Sequence, residues 1–276
     1  GGLASAAMQA PTTATKKKSA TPKRAPKAPS VRMTLDETMR ELEQAGSEQT
    51  RKTYARHGAT GPMFGVSFAT LKGLLKRFGV DHELACALFD TGNLDARNLA
   101  VKIVDPARLS STDLDRWARD TSAPKVCGAY VAMLAAEGPH AIAKATDWLA
   151  SKDDWARVAG WGLLGQLVQR EETLPDSWFV DRLGEIERTI HHAPNAEREA
   201  MNAALIAIGC RNETLRKSAT TVAKRIGKVH IDHGDTACKT PDAAAYIEKT
   251  WAHSLSKGFE SPAAHERTRE VPRLRC

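Results

Sequence analysis

Aromatic residues are scarce, 5% of 276 residues with 6 Trp, 6 Phe and 3 Tyr, so any core must rest on Ala, Leu, Val and Ile. No apolar run nears the roughly 18 residues of a helical membrane span, and no membrane association is expected. Gly1 to Ala10 has neither a charged n-region nor a long h-region, so no secretory signal is expected. Cys86, Cys127, Cys210, Cys238 and Cys276 are isolated, odd in number and without a CxxC pair. That pattern fits a reducing cytoplasm better than a disulfide framework. Alternating strand-type runs are missing as well, which argues against a doubly wound α/β fold.

Acid is absent from residues 1–32, which carry Lys16, Lys17, Lys18, Lys23, Arg24, Lys27 and Arg32. These seven cations equal the whole net charge of +7, so the remainder is balanced. Within it, residues 256–276 hold five cations against three acids, leaving the middle at −2. Segment 11–30 is Pro, Ala, Thr and Lys with almost nothing to bury. Residues 1–32 therefore read as a disordered basic tail, either a solubilising extension or a non-specific attractor of nucleic acid. A folded domain is expected over 33–255. Thr34 can open it as a helix cap with Glu37 three residues on. Residues 256–276, rich in Pro and charge, are expected to be a loose tail.

What is present between the tails is helix. Phe68, Leu71, Leu75 and Phe78 make one apolar stripe along SFATLKGLLKRF (67–78). Similar segments recur at 82–90, 94–105, 113–120, 123–136, 153–170, 176–190, 197–209, 213–227 and 242–251, separated by short gaps. A weak echo links three of them. LDARNLAVKIV, DWARVAGWGLL and EREAMNAALIAIG each set an acid and an Arg at the start of an Ala-rich helix. Helix pairs repeating in this way predict an all-α, HEAT-like solenoid of the armadillo type, a curved right-handed array; an irregular helical bundle is the alternative.

FGVSFATLKGLLKRFG (64–79), with WLASKDDWARVAGWGLL (148–164) as a second block, resembles the AlkD-like DNA alkylation repair family, and the likeness spans roughly 34–227. The resemblance implies a concave basic face that cradles duplex DNA, and removal of N3- or N7-alkylated purines by hydrolysis of the N-glycosidic bond. It implies duplex DNA, possibly alkylated, as partner, a DNA-associated cytoplasmic location, and no cofactor. A cationic purine is already a good leaving group. Catalysis then needs negative charge near the sugar and an aromatic wall beside the lesion. The family supplies a Trp and an Asp one turn apart, then an Arg and another Trp on following helices. The first pair would fall at 123–130, APKVCGAY, which holds no acid; the nearest is Asp120. The Arg matches Arg157, and near Leu205 there is no later aromatic.

A substitute set would be Asp153, Arg157 and Trp161, at i, i+4 and i+8 on one helix, with Asp154 alongside. The plainer account is a local Asp–Arg pair beside a core Trp. Phosphate contacts are expected from Lys72, Lys76 and Arg77 on the first stripe's far side, and from Lys102, Lys125 and Arg157 on successive helices. The segment KVHIDHGDTACKTP (228–241) clusters His230, Asp232, His233, Asp235 and Cys238 in no standard zinc spacing. No metal is expected there. Thr240 would cap the next helix with Pro241 at its first position. The non-catalytic alternative for the whole chain is a HEAT-repeat scaffold that binds DNA or protein.

Overall fold

The computed structural model describes residues 32–120 and 129–275. Among them are fourteen α-helices and no strand. The first, α1 (Leu35–Ala45), opens on the expected capping box: Glu37 N–H donates to Thr34 Oγ1 at 3.2 Å, and Thr34 N–H to the Glu37 carboxylate at 2.8 Å. Next come α2 (Glu48–Arg56), α3 (Phe68–Leu75), α4 (His82–Asp90), α5 (Leu94–Ile103), α6 (Ser111–Arg119) and α7 (Val131–Glu137). The second half holds α8 (Ala141–Ala150), α9 (Asp154–Arg170), α10 (Asp176–Thr189), α11 (Asn195–Gly209), α12 (Glu213–Ile226), α13 (Ala243–Ser256) and α14 (Pro262–Arg267). Apolar periodicity does not anticipate α2, α8 or α14. No residue of α2 is buried, and α8 buries only Lys144, Ala145, Trp148 and Leu149.

Helix pairs stack. α4 packs on α5, α8 on α9, α10 on α11 and α12 on α13. The second members form an inner row, α7 against α9, α9 against α11 and α11 against α13, while α10 meets α12 in the outer row. This two-layer array is the arrangement that the echo predicts. At its centre, α9 is apolar on nearly every side, burying Trp161, Leu163, Leu164, Leu167 and Val168. Gly160 lets α8 come close, because a Cβ there would lie 2.9 Å from the main-chain nitrogen of Leu149. Ala and Gly thus replace the missing aromatic bulk.

The echo has a structural cause. Arg97, Arg157 and Arg198 each stand four residues after the N-cap of an inner helix, with Asn93, Asp153 and Pro194 as the caps. Each donates to the carbonyl eight residues upstream, where the preceding helix ends: Arg97 to Phe89 (3.2 Å), Arg157 to Leu149, and Arg198 to Ile190 (3.2 Å). Carbonyls in the last turn of a helix have no intrahelical donor and carry partial negative charge. A guanidinium from the next helix satisfies them and sets the turn between the two. The recurring Arg is therefore a joint of the repeat.

The C-terminal residues correct the expectation of a loose tail over 256–276. Described up to Arg275, they run across the C-terminal ends of the inner helices. Ala263 N–H donates to Cys210 O after α11 (3.0 Å), and Arg267 to Gln169 O at the end of α9 (3.1 Å). Arg170 pairs with Glu266 at 3.1 Å. Arg273, 5% exposed, donates to Lys102 O at 2.7 Å and Val101 O at 3.1 Å on α5, and to Glu137 at the end of α7 at 2.8 Å. Charge alone suggested solvent; here the arginines fill positions that helix ends leave open. The basic tail expected over 1–32 lies outside the described residues but for Arg32.

Candidate functional site

Arg157 projects from the first turn of α9 into a pocket of acids. Its Nε donates to Glu197 at 2.7 Å, its Nη2 to Glu185 at 2.8 Å and its Nη1 to Leu149 O. Burial would lower the guanidinium's pKa, but its hydrogen bonds to Glu185 and Glu197 more than offset that, and the value is raised. Glu197, 6% exposed, also accepts from Trp161 Nε1 at 3.1 Å, and the Arg157 guanidinium carbon lies 5.6 Å from the Trp161 ring centre. Arg182 binds the second oxygen of Glu185 at 2.8 Å.

This geometry corrects the set read from the sequence. Asp153 is the N-cap of α9, exposed, and makes no side-chain cap hydrogen bond. The acids on Arg157 come instead from α10 and α11. Trp161 is fully buried, so its ring cannot face a lesion. Sequence reading misses Glu185 and Glu197 because they lie 28 and 40 residues from Arg157. The one local signal was the acid-Arg start of EREAMNAALIAIG.

Other acids of the first half are also engaged. Asp95, 1% exposed, accepts the amides of Phe64 (2.6 Å), Gly65 (2.9 Å) and Val66 (2.8 Å), which ties the loop before α3 to the start of α5. Asp120 pairs with Arg97 at 2.7 Å. Asp115 accepts from Lys144 and from Trp148 Nε1, both at 2.7 Å.

The expected phosphate-binding cations separate into two groups. Lys72 and Lys76 are exposed on α3 and just after it. Arg77, also exposed, pairs with Glu41 of α1. Lys102 is corrected: it is 3% exposed, donates to Arg273 O, and lies 4.7 Å from the centre of the Tyr130 ring. The C-terminal segment covers the face that this lysine would have shown to solvent. Arg157 is internal, as described. Lys125 lies outside the described residues, as does most of the stretch 123–130. At the start of α3, the half-buried rings of Tyr54, Phe68 and Tyr130 form a row, Tyr54 to Phe68 at 6.0 Å and Phe68 to Tyr130 at 6.5 Å.

In the segment 228–241, His233 Nε2 lies 3.0 Å from Thr240 Oγ1, and the cap of α13 is Asp242, whose carboxylate accepts from Ala245 N–H at 2.8 Å. The helix therefore starts later than the Thr240–Pro241 reading. Among the described residues no group of three His, Cys, Asp or Glu side chains is placed to hold a metal ion, and no helix is long and apolar enough to cross a membrane.

Residues 38–247 match the family described as DNA alkylation repair enzyme. Uncharacterized proteins of Listeria monocytogenes serovar 1/2a and Listeria innocua serovar 6a are each 28% identical to this chain over 224 residues, covering 79% of it and 97% of their own length. A solved structure is 32% identical with a TM-score of 0.73, covering 83% of this chain and 96% of its own. It is described as a new family of proteins related to the HEAT-like repeat DNA glycosylases with affinity for branched DNA structures.

Proposed function

The chain belongs to the DNA alkylation repair family, and from that premise we propose that it binds DNA, branched DNA above linear duplex, without excising alkylated bases itself. The observation that carries this reading is the engagement of Arg157. Excision of a cationic purine gains from a carboxylate that faces the sugar as oxocarbenium character develops. Glu185 and Glu197 instead face a guanidinium inside the protein, Asp120 faces Arg97, and residues 121–130 contain no acid. Phosphate binding needs only exposed cations. Lys72 and Lys76 supply them at α3, with Lys125 as a further expected contact. The branched preference draws on the solved relative, whose fold this chain shares at 32% identity.

The test has two arms. In a mobility-shift titration, a four-way junction should bind more tightly than a linear duplex of equal length. Lys72→Ala with Lys76→Ala should weaken both complexes, and the salt slope should become shallower by roughly one unit per lost contact. In the second arm, duplex containing 7-methylguanine is incubated with the protein, and released base should match the no-protein control. Release well above that control would establish excision and overturn the non-catalytic reading. Equal affinity for junction and duplex would remove the branched preference, and absence of DNA binding would leave a protein scaffold.

A further inference from the structure

Most arginines of the described residues are held by internal acids or carbonyls, so exposed cations that are not so held stand out. A group of them lies where α10 and α12 end. Arg188, Lys224 and Lys228 are exposed there, with Arg225 opposite Glu187 and the exposed imidazoles of His192 and His230 alongside. The two helix ends adjoin, since His191 Nε2 lies 2.9 Å from Ile226 O and Arg225 reaches Glu187 at 3.6 Å. Gly227, with φ +69, turns the chain out of α12, and Arg198 then anchors the next segment by donating to His230 O at 2.7 Å.

Neutralising charge is sparse on this surface. Among the described residues, Glu187 pairs with Arg225 at this surface. Glu248 faces Lys224, but its carboxylate is bound by Arg216. Asp232, further along, turns an oxygen to Gly234 N–H at 2.8 Å. Two helix C-termini meet here, and their partial negative charge favours cations locally, yet each terminus needs far less than this number.

The position in the array matters as much as the charge. α11 begins at Asn195, directly after α10, so the patch lies at the edge where inner helices start. The C-terminal segment occupies the other edge, across the ends of α5, α9 and α11. The C-terminal segment therefore leaves the patch exposed. It also sits towards the last helix pairs, while Lys72 and Lys76 sit towards the first. Helix-repeat proteins are close to one-dimensional, so the two cation surfaces are set apart along the array.

We infer that the α10–α12 patch is a second phosphate-binding surface, one that grips a different arm of a branched DNA from the arm held at α3. This rests on the DNA-binding reading above. A linear duplex engages one surface at a time; a junction presents two arms and engages both, and the second contact is then effectively intramolecular.

The full-length triple variant Arg188→Ala, Lys224→Ala, Lys228→Ala tests this, and its thermal unfolding should match wild type because all three side chains are exposed. It is titrated against a four-way junction and against a linear duplex matching one arm, alongside wild type. Junction affinity should fall by about tenfold or more, its salt slope should become shallower by about 0.9 per lost phosphate contact, and duplex affinity should hold. Junction affinity equal to wild type would overturn the second surface. An equal loss on duplex and junction would overturn the two-arm assignment, since the patch would then belong to the primary contact. Wild type that binds neither DNA would overturn the function reading itself, a result distinct from both.

Discussion

Arg157 shows how one side chain can satisfy a functional pattern and a structural one at once. The sequence resemblance assigns it to the family's arginine, whereas in the fold it closes the α8–α9 joint through Leu149 O while neutralising Glu185 and Glu197. Arg157→Ala would leave Glu197, 6% exposed, without its cation. Stranding one partner of a buried pair costs about 3–5 kcal/mol, so chemical denaturation should show a loss of that size. DNA affinity, measured well below the melting transition, should stay near wild type. A stable Arg157→Ala variant with lost DNA affinity would return this residue to the binding surface.

At the scale of elements, α5 and the C-terminal segment depend on each other. All ten residues of α5 are buried, including Asp95, Arg97 and Lys102. The Lys102 amine donates to Arg273 O there, while Arg273 itself binds two α5 carbonyls and Glu137. Arg273→Ala would leave Glu137 without that partner and open the cover over Lys102. The expected loss is about 3 kcal/mol, read as a lower denaturation midpoint with an unchanged slope. Truncation after Gly258 should lower the melting temperature further. Unchanged stability in both variants would mean that the segment merely rests on the array.

For the whole molecule, the charge balance divides attraction from recognition. Residues 1–32 hold cations equal to the entire net charge, so on the DNA-binding proposal long-range attraction is expected from them, and local surfaces from the folded body. Deleting residues 1–31 should weaken junction binding and make its salt dependence shallower, yet leave the preference for junction over duplex. A truncated protein that no longer binds any DNA would place all affinity in the tail.

Much of this architecture is readable in one dimension. Helix stripes such as Phe68, Leu71 and Leu75, the Thr34–Glu37 cap and the Arg echo depend on neighbours within a few residues, where helical spacing imposes the contact. All-α pairing and the separation of basic tail from balanced body follow from the chain alone. Which charges are free does not. Arg157 meets acids 28 and 40 residues away, and Lys102 meets a carbonyl 171 residues away. No periodicity records such encounters, because they arise only when separate helix pairs stack and the C-terminal segment folds back across them. Tertiary packing therefore decided that Arg157 and Lys102 serve the interior, while Lys72 and Lys76 at α3 and Arg188, Lys224 and Lys228 at the ends of α10 and α12 stay exposed.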